Sequence, residues 1–195
     1  MKFRTLKEGV AGTYHAYHGS GSDFKEFMHQ FIGSHGVENG YGFYFTNRKE
    51  IAMSYGKYII EADITINNPF SITDITITKN QVYQFINKYV DPTGDDYLSA
   101  WGDVHSETYS AVLQKAVDNL FTYSQSDSDI INELLSFTDH DYKVQNVYKG
   151  IIEVFGRDGI IYKGYDDFYG EEITNYIVYT NEQIHNKKRI VVEEN

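Results

Sequence analysis

Apolar and polar positions alternate through Thr13-Tyr14-His15-Ala16-Tyr17, which predicts a strand, and the chain then breaks into Gly19-Ser20-Gly21-Ser22, small residues that predict an exposed turn. Phe24, Phe27, Met28, Phe31 and Ile32 follow at helical spacing, with Ser22 or Asp23 placed to cap, so a helix is expected there. GSHGVENGYG has the composition of a loop, GFYFT that of a short apolar strand, and NRKEIAMSYG that of a brief helix closed by Gly56. KYIIEADITI alternates in part and reads as a strand ending near Asn67-Asn68-Pro69.

The middle of the chain changes period. Val82, Phe85, Ile86 and Tyr89 predict one helix, and the longer series Tyr109, Val112, Leu113, Ala116, Val117, Leu120 and Phe121 predicts a second. Ile130, Ile131, Leu134 and Leu135 predict a third, and Val144, Val147, Tyr148, Ile151 and Phe155 a fourth that stops at Gly156. Short strands return in GIIYKG, NYIVYT and KRIVVE. Strands, a helical segment over about 78–156, then strands again predict an α+β fold with a mixed or antiparallel sheet. The 195 residues, without internal repeat or low-complexity linker, are expected to form one domain over 1–195.

Composition narrows the function classes. Apolar residues at 41% and charged residues at 23% are those of a globular protein. A net charge of −11 disfavours bulk nucleic-acid binding, while leaving room for a local basic pocket. The absence of cysteine removes disulfides, thiolate metal sites and a cysteine nucleophile. MKFRTLKEGV lacks the apolar core of a signal peptide and no run is long enough to span a bilayer, so a cytoplasmic location is expected. Seven histidines without a His-x-x-x-His pair give no support for a metal. Neither a P-loop nor a Gly-x-Ser-x-Gly elbow is present.

Candidate chemistry falls in three segments: YHGSGSDF, GYGFYFTNRKEIAMSYG and NYIVYTNEQI. Each has a plain structural reading. His18 could simply end a strand, Tyr44 could be core, Tyr55 could cover a helix, and Ser20 could serve a turn. In combination, His18-Gly19-Ser20, Gly40-Tyr41-Gly42-Phe43-Tyr44-Phe45, Ala52 through Tyr55 and Tyr176 through Tyr179 resemble the ADP-ribosyltransferase fold. The likeness is to poly(ADP-ribose) polymerase catalytic domains, diphtheria toxin and the small members of phage and mobile elements. It covers about 16–56 and 159–190 and leaves the helical middle aside.

The resemblance implies a split sheet carrying a helical insertion, and NAD⁺ as substrate. Nicotinamide would leave a ribose carbon through an oxocarbenium-like transition state. By the resemblance, Gly19, with Ser20 beside it, holds the carboxamide, Tyr44 and Tyr55 sandwich the ring, and His18 hydrogen-bonds a ribose hydroxyl on the adenosine side. Catalysis of this kind works by positioning and electrostatics.

One position departs. The family's glutamate before Tyr-Ile-Val-Tyr is Asn175 here, which can bond a hydroxyl but brings no charge to the cation. Glu171, Glu172, Asp166, Asp167 and Glu182 lie nearby in sequence, and Glu172 is the leading substitute acid; the alternative is that Asn175 itself suffices for slow mono-transfer. Without the glutamate, poly-ADP-ribose synthesis is disfavoured. The expected activity is mono-ADP-ribosyl transfer to a protein target, in the setting of a phage or mobile-element effector acting in a host cytoplasm. NAD⁺ glycohydrolysis and a catalytically silent NAD⁺- or ADP-ribose-binding module are the alternatives. The helical middle is a candidate for target recognition or a cover for the sheet.

Overall fold

Seven strands realise the alternating segments: β1 (Lys7–Glu8), β2 (Gly12–Ser20), β3 (Phe43–Thr46), β4 (Tyr58–Ile66), β5 (Gly159–Asp166), β6 (Glu171–Val178) and β7 (Ile184–Val191). The computed structural model describes residues 7–32, 41–90, 108–136, 144–166 and 170–192. Gly40 and Asp167, singled out in the sequence, lie outside these. The strands form one sheet in the order β1-β5-β6-β3-β2-β4-β7, and every pairing of neighbouring strands is antiparallel. β2 and β3 share the single register pair Tyr17↔Thr46, against two pairs between β1 and β5 and four or more between the other neighbours. The sheet is thus two halves, β1-β5-β6-β3 and β2-β4-β7, joined by one narrow seam.

Helices α1 (Lys49–Met53), α2 (Lys79–Phe85), α3 (Tyr109–Tyr123), α4 (Asp127–Ser136) and α5 (Val144–Phe155) complete the fold, and α2 runs on into a π turn over Ile86–Val90. Thr78 caps α2 in a reciprocal box with Gln81. The apolar stripes of α2–α5, among them Val82, Phe85, Val117, Leu134, Tyr148 and Ile151, enter the same buried cluster as the sheet residues Phe43, Ile64, Ile160 and Ile177. The helical middle therefore covers the sheet. No helix among the described residues is long and apolar enough to cross a membrane.

The helix expected over Phe24–Ile32 does not form; a single 3₁₀ turn, His29–Phe31, stands there. Its would-be caps are used elsewhere: the Ser22 backbone N–H donates to Ser20 Oγ at 3.1 Å, and Asp23 pairs with Arg189 at 2.6 Å. The apolar residues do not share one face either. Phe27 packs on Phe43 and Phe45, while Met28 and Phe31 are 45% and 57% exposed. Tertiary packing of Phe27 outweighs the local spacing.

Two buried polar side chains lock the connections. Asp127 at the start of α4 accepts the Thr76 N–H at 2.6 Å, the Ile77 N–H at 3.0 Å and the Thr76 hydroxyl at 2.6 Å. Gln183 accepts from Tyr179 and Thr180 and donates to the carbonyls of Thr65 and Asp158, tying the β6–β7 turn to both halves of the sheet.

Candidate active site

The seam between the two half-sheets is closed by a side chain. His18, near the end of β2, lies 2.7 Å through Nδ1 from the carbonyl oxygen of Tyr44 on β3. A carbonyl can only accept, so Nδ1 carries the proton, and burial holds the ring's pKa below its ordinary value. The imidazole is therefore neutral at pH 7 and its Nε2 bears the lone pair, suited to accept from a hydroxyl. Phe24, Phe27 and Phe45 hold the ring, with centroids 5.6, 4.9 and 5.7 Å away.

Gly19 comes next, and its lack of a side chain is structural. A Cβ there would sit 1.7 Å from the Ala52 carbonyl oxygen. Gly56, at φ +146°, makes the reciprocal approach: a Cβ on it would lie 2.3 Å from the Ser20 carbonyl. The end of α1 and the turn after it, which carries Tyr55, are thus pressed onto the backbone of Gly19-Ser20. Tyr55 itself is 56% exposed. The Ser20 hydroxyl serves the turn, donating to the Ser22 carbonyl at 2.9 Å and accepting the Ser22 N–H.

Strand pleating decides which side chains share a face. Tyr17 pairs with Thr46, and Thr46 with Asn175; Tyr44 pairs with Ile177. Hence Tyr44, Thr46 and Asn175 lie on one face, the face on which the missing Cβ of Gly19 would point at α1. Asn175 is only 9% exposed. The β3–β6 ladder is extended past Thr46 by Asn47, whose N–H bonds the Thr174 carbonyl and whose Oδ1 accepts the Thr174 N–H, both at 3.0 Å.

Among the described residues, Glu171, Glu172 and Glu182 do not gather at Asn175. Glu172 stands three residues earlier on β6, roughly 10 Å along the strand, and the pleat turns it to the opposite face. Glu171 shares the face of Asn175 but is ion-paired with Arg48 further along. Asp166 pairs with Glu171 at the strand end, and Glu182 lies beyond β6 in the turn Asn181–Gln183.

From Thr13 to Val191 the chain matches the family ART-PolyVal, ADP-ribosyltransferase in polyvalent proteins, over residues 13–191. The chain belongs to this family. No curated protein and no solved structure shows a significant match. As an ADP-ribosyltransferase-like domain, its seamed antiparallel sheet with helices inserted between β4 and β5 is the α+β architecture expected from the motifs. ADP-ribosyltransferases use NAD⁺ as substrate, and the three sequence segments that resemble the family meet around the seam. Among the described residues no cluster of three or more His, Cys, Asp or Glu could hold a metal.

Behind Tyr44 the ADP-ribosyltransferase-like core contains features not singled out as a group in the sequence. His29 donates through Nε2 to the Tyr179 carbonyl at 2.6 Å and stacks on Tyr148 at 4.7 Å. Tyr148 and Tyr179 are fully buried, and burial drives both phenols well above their usual range, so they stay protonated. Tyr148 had no local signal beyond apolar periodicity, and His29 had none. Their association is set by contacts between residues over a hundred positions apart.

Proposed function

We propose that this protein transfers a single ADP-ribose from NAD⁺ to a side chain of a target protein. Family membership supports the donor. The observation that carries the reading is the face shared by Tyr44 and Asn175, beneath an α1 terminus clamped on Gly19. On this reading the Gly19 backbone holds the carboxamide of nicotinamide, with Ser20 shaping the turn beside it. Tyr44 and Tyr55 flank the pyridinium, and His18 Nε2 accepts a ribose hydroxyl. Stacking contributes on the order of 1 kcal/mol per ring.

In the reaction the C1′–N bond breaks and its electron pair leaves on nicotinamide. The acceptor's lone pair forms the new bond to C1′, and the acceptor's proton passes to solvent. Asn175 bonds the 2′-hydroxyl of the reacting ribose. As a neutral amide it forgoes about 3 kcal/mol of cation stabilisation relative to a carboxylate, roughly a hundredfold in rate. That deficit favours slow mono-transfer over chain elongation. Glu172 faces away from Asn175 and is not assigned the acid's part. A phage or mobile-element setting, with a host protein modified in the cytoplasm, is the corresponding biological role.

The test is to incubate the purified protein with NAD⁺ and host lysate and to search the proteins for added ADP-ribose by mass spectrometry. Modified protein together with released nicotinamide supports the transferase. Nicotinamide without modified protein replaces it with a glycohydrolase, and neither product leaves a binding module.

A further inference from the structure

We infer that Asn47 is a positioning residue for the reaction, its side chain completing a ladder rung that holds Asn175 in register with Tyr44 and α1. The inference rests on the reading of Asn175 as the group that bonds the reacting ribose. β3 ends at Thr46 because α1 must begin: the Arg48 carbonyl already accepts the Ala52 N–H at 3.2 Å. A strand that continued would offer Thr174 both a donor and an acceptor from the Asn47 backbone. Asn47 gives the donor, its N–H reaching the Thr174 carbonyl at 3.0 Å. The acceptor comes from its side chain, where Oδ1 takes the Thr174 N–H, also at 3.0 Å. The carboxamide thus completes the rung although the strand has ended.

What the rung holds follows from strand geometry. Antiparallel neighbours alternate between pairs that exchange two backbone bonds and pairs that exchange none. With Asn47 and Thr174 as a bonded pair, Thr46 and Asn175 are an unbonded one, their side chains close together on a shared face. Their spacing is therefore set by the rungs on either side, Phe45–Tyr176 and Asn47–Thr174. By the same alternation the Asn175 backbone turns the other way, toward Tyr162 on β5. That ladder fixes β6 on β5 but not β6 on β3. Nor does β2 brace this end of β3, since the two share only Tyr17↔Thr46. The ion pair of Arg48 with Glu171 lies further along and is solvent-exposed, so it contributes little. The Asn47 rung keeps Asn175 aligned with Tyr44 and with the α1 segment that leads to Tyr55.

Placement matters more for an amide here than it would for an acid. A carboxylate stabilises a nearby cation through a field that falls off gradually with distance. A neutral amide acts on the ribose hydroxyl through a hydrogen bond, which weakens steeply once its length or angle is off. Groups of that kind have to be held to within about 0.5 Å. Asn175 and Thr46 are both buried in the sheet, while Asn47 stands at the surface beside them. Asn47 therefore acts through Asn175 rather than on NAD⁺.

Nicotinamide release from NAD⁺ by the full chain, with host lysate as acceptor and lysate alone subtracted, tests this. Asn47→Ala is expected to lower kcat about tenfold while KM for NAD⁺ moves by less than about twofold. Asn47→Asp keeps an oxygen for the Thr174 N–H and should recover most of the rate. Asn47→Gln, whose oxygen is one methylene out of place, should not. Asn47→Ala combined with Asn175→Ala should be no slower than Asn175→Ala alone, because the first acts through the second. Wild-type kcat in Asn47→Ala overturns the inference, as does a double variant in which the two losses multiply. Either result leaves the NAD⁺ reading intact. Wild-type turnover in Asn175→Ala, or no nicotinamide released by the wild-type chain, removes the underlying reading and the inference with it. Thermal melts set the assay temperature below the unfolding of every variant, so that a lost rate reports placement and not lost fold.

Discussion

On the proposed reading single residues at the seam carry the chemistry, and their environments and those of the residues behind them make distinct predictions. Replacing Tyr44 by alanine removes one stacking face and is expected to cut NAD⁺ turnover about tenfold, whereas Tyr44→Phe keeps the face and most of the rate; equal rates in Tyr44→Ala and wild type contradict the stacking role. Tyr148 is fully buried and its hydroxyl finds no partner among the described residues. Tyr148→Phe should therefore raise stability by about 1 kcal/mol in denaturant unfolding, and a loss of that size would show a partner for the hydroxyl. Burial lowers the pKa of both His18 and His29, the latter also sensing Glu182 and Lys149. Unfolded histidine titrates near 6.5, so just below that pH the unfolded chain binds more protons than the folded one. Stability is then full above about pH 6.5 and falls as the pH drops through the folded-state values. Melting temperatures at pH 7.5 and 5.5 should show this fall, and His29→Gln should blunt it.

Among the elements, α1 shows how far local sequence reaches. NRKEIAMSYG read as a brief helix closed by glycine, and Lys49–Met53 with Gly56 behind it agrees. The sequence was silent on why Gly19 and Gly56 are both needed, because the reason is the approach of two segments some thirty residues apart. Gly19→Ala puts a Cβ 1.7 Å from the Ala52 carbonyl oxygen, so α1 must move. A loss of about 3 kcal/mol in denaturant unfolding, with activity falling alongside, is expected; wild-type stability would contradict the contact. The segment after Ser22 shows the opposite case. Its spacing was helical, but Phe27 is pulled onto Phe43 and Phe45 and Asp23 onto Arg189, and long-range contacts won. A bulge at Asn186 in β7 was likewise invisible, since KRIVVE reads as an ordinary strand and register depends on β4.

Over the whole molecule, the order of strands, helices and strands was legible because the period of apolar positions switches cleanly at either end of the helical middle. The family likeness was legible because short motifs recur in order. Their facing was not. Glu172 looked like a substitute acid from sequence proximity, but one step of pleat separates its face from that of Asn175. Asp127 ties the helical layer to the segment before α2, and Asp127→Ala, which strips three donors of their acceptor, should cost about 3 kcal/mol in denaturant unfolding. On the proposed reading the seam between the two half-sheets holds NAD⁺. A crystal structure with a non-cleavable NAD⁺ analogue addresses it most directly. The nicotinamide ring is expected between Tyr44 and Tyr55, its carboxamide on the backbone of Gly19, and Asn175 within hydrogen-bond distance of the adjoining ribose; a dinucleotide bound away from the seam would rule this site out.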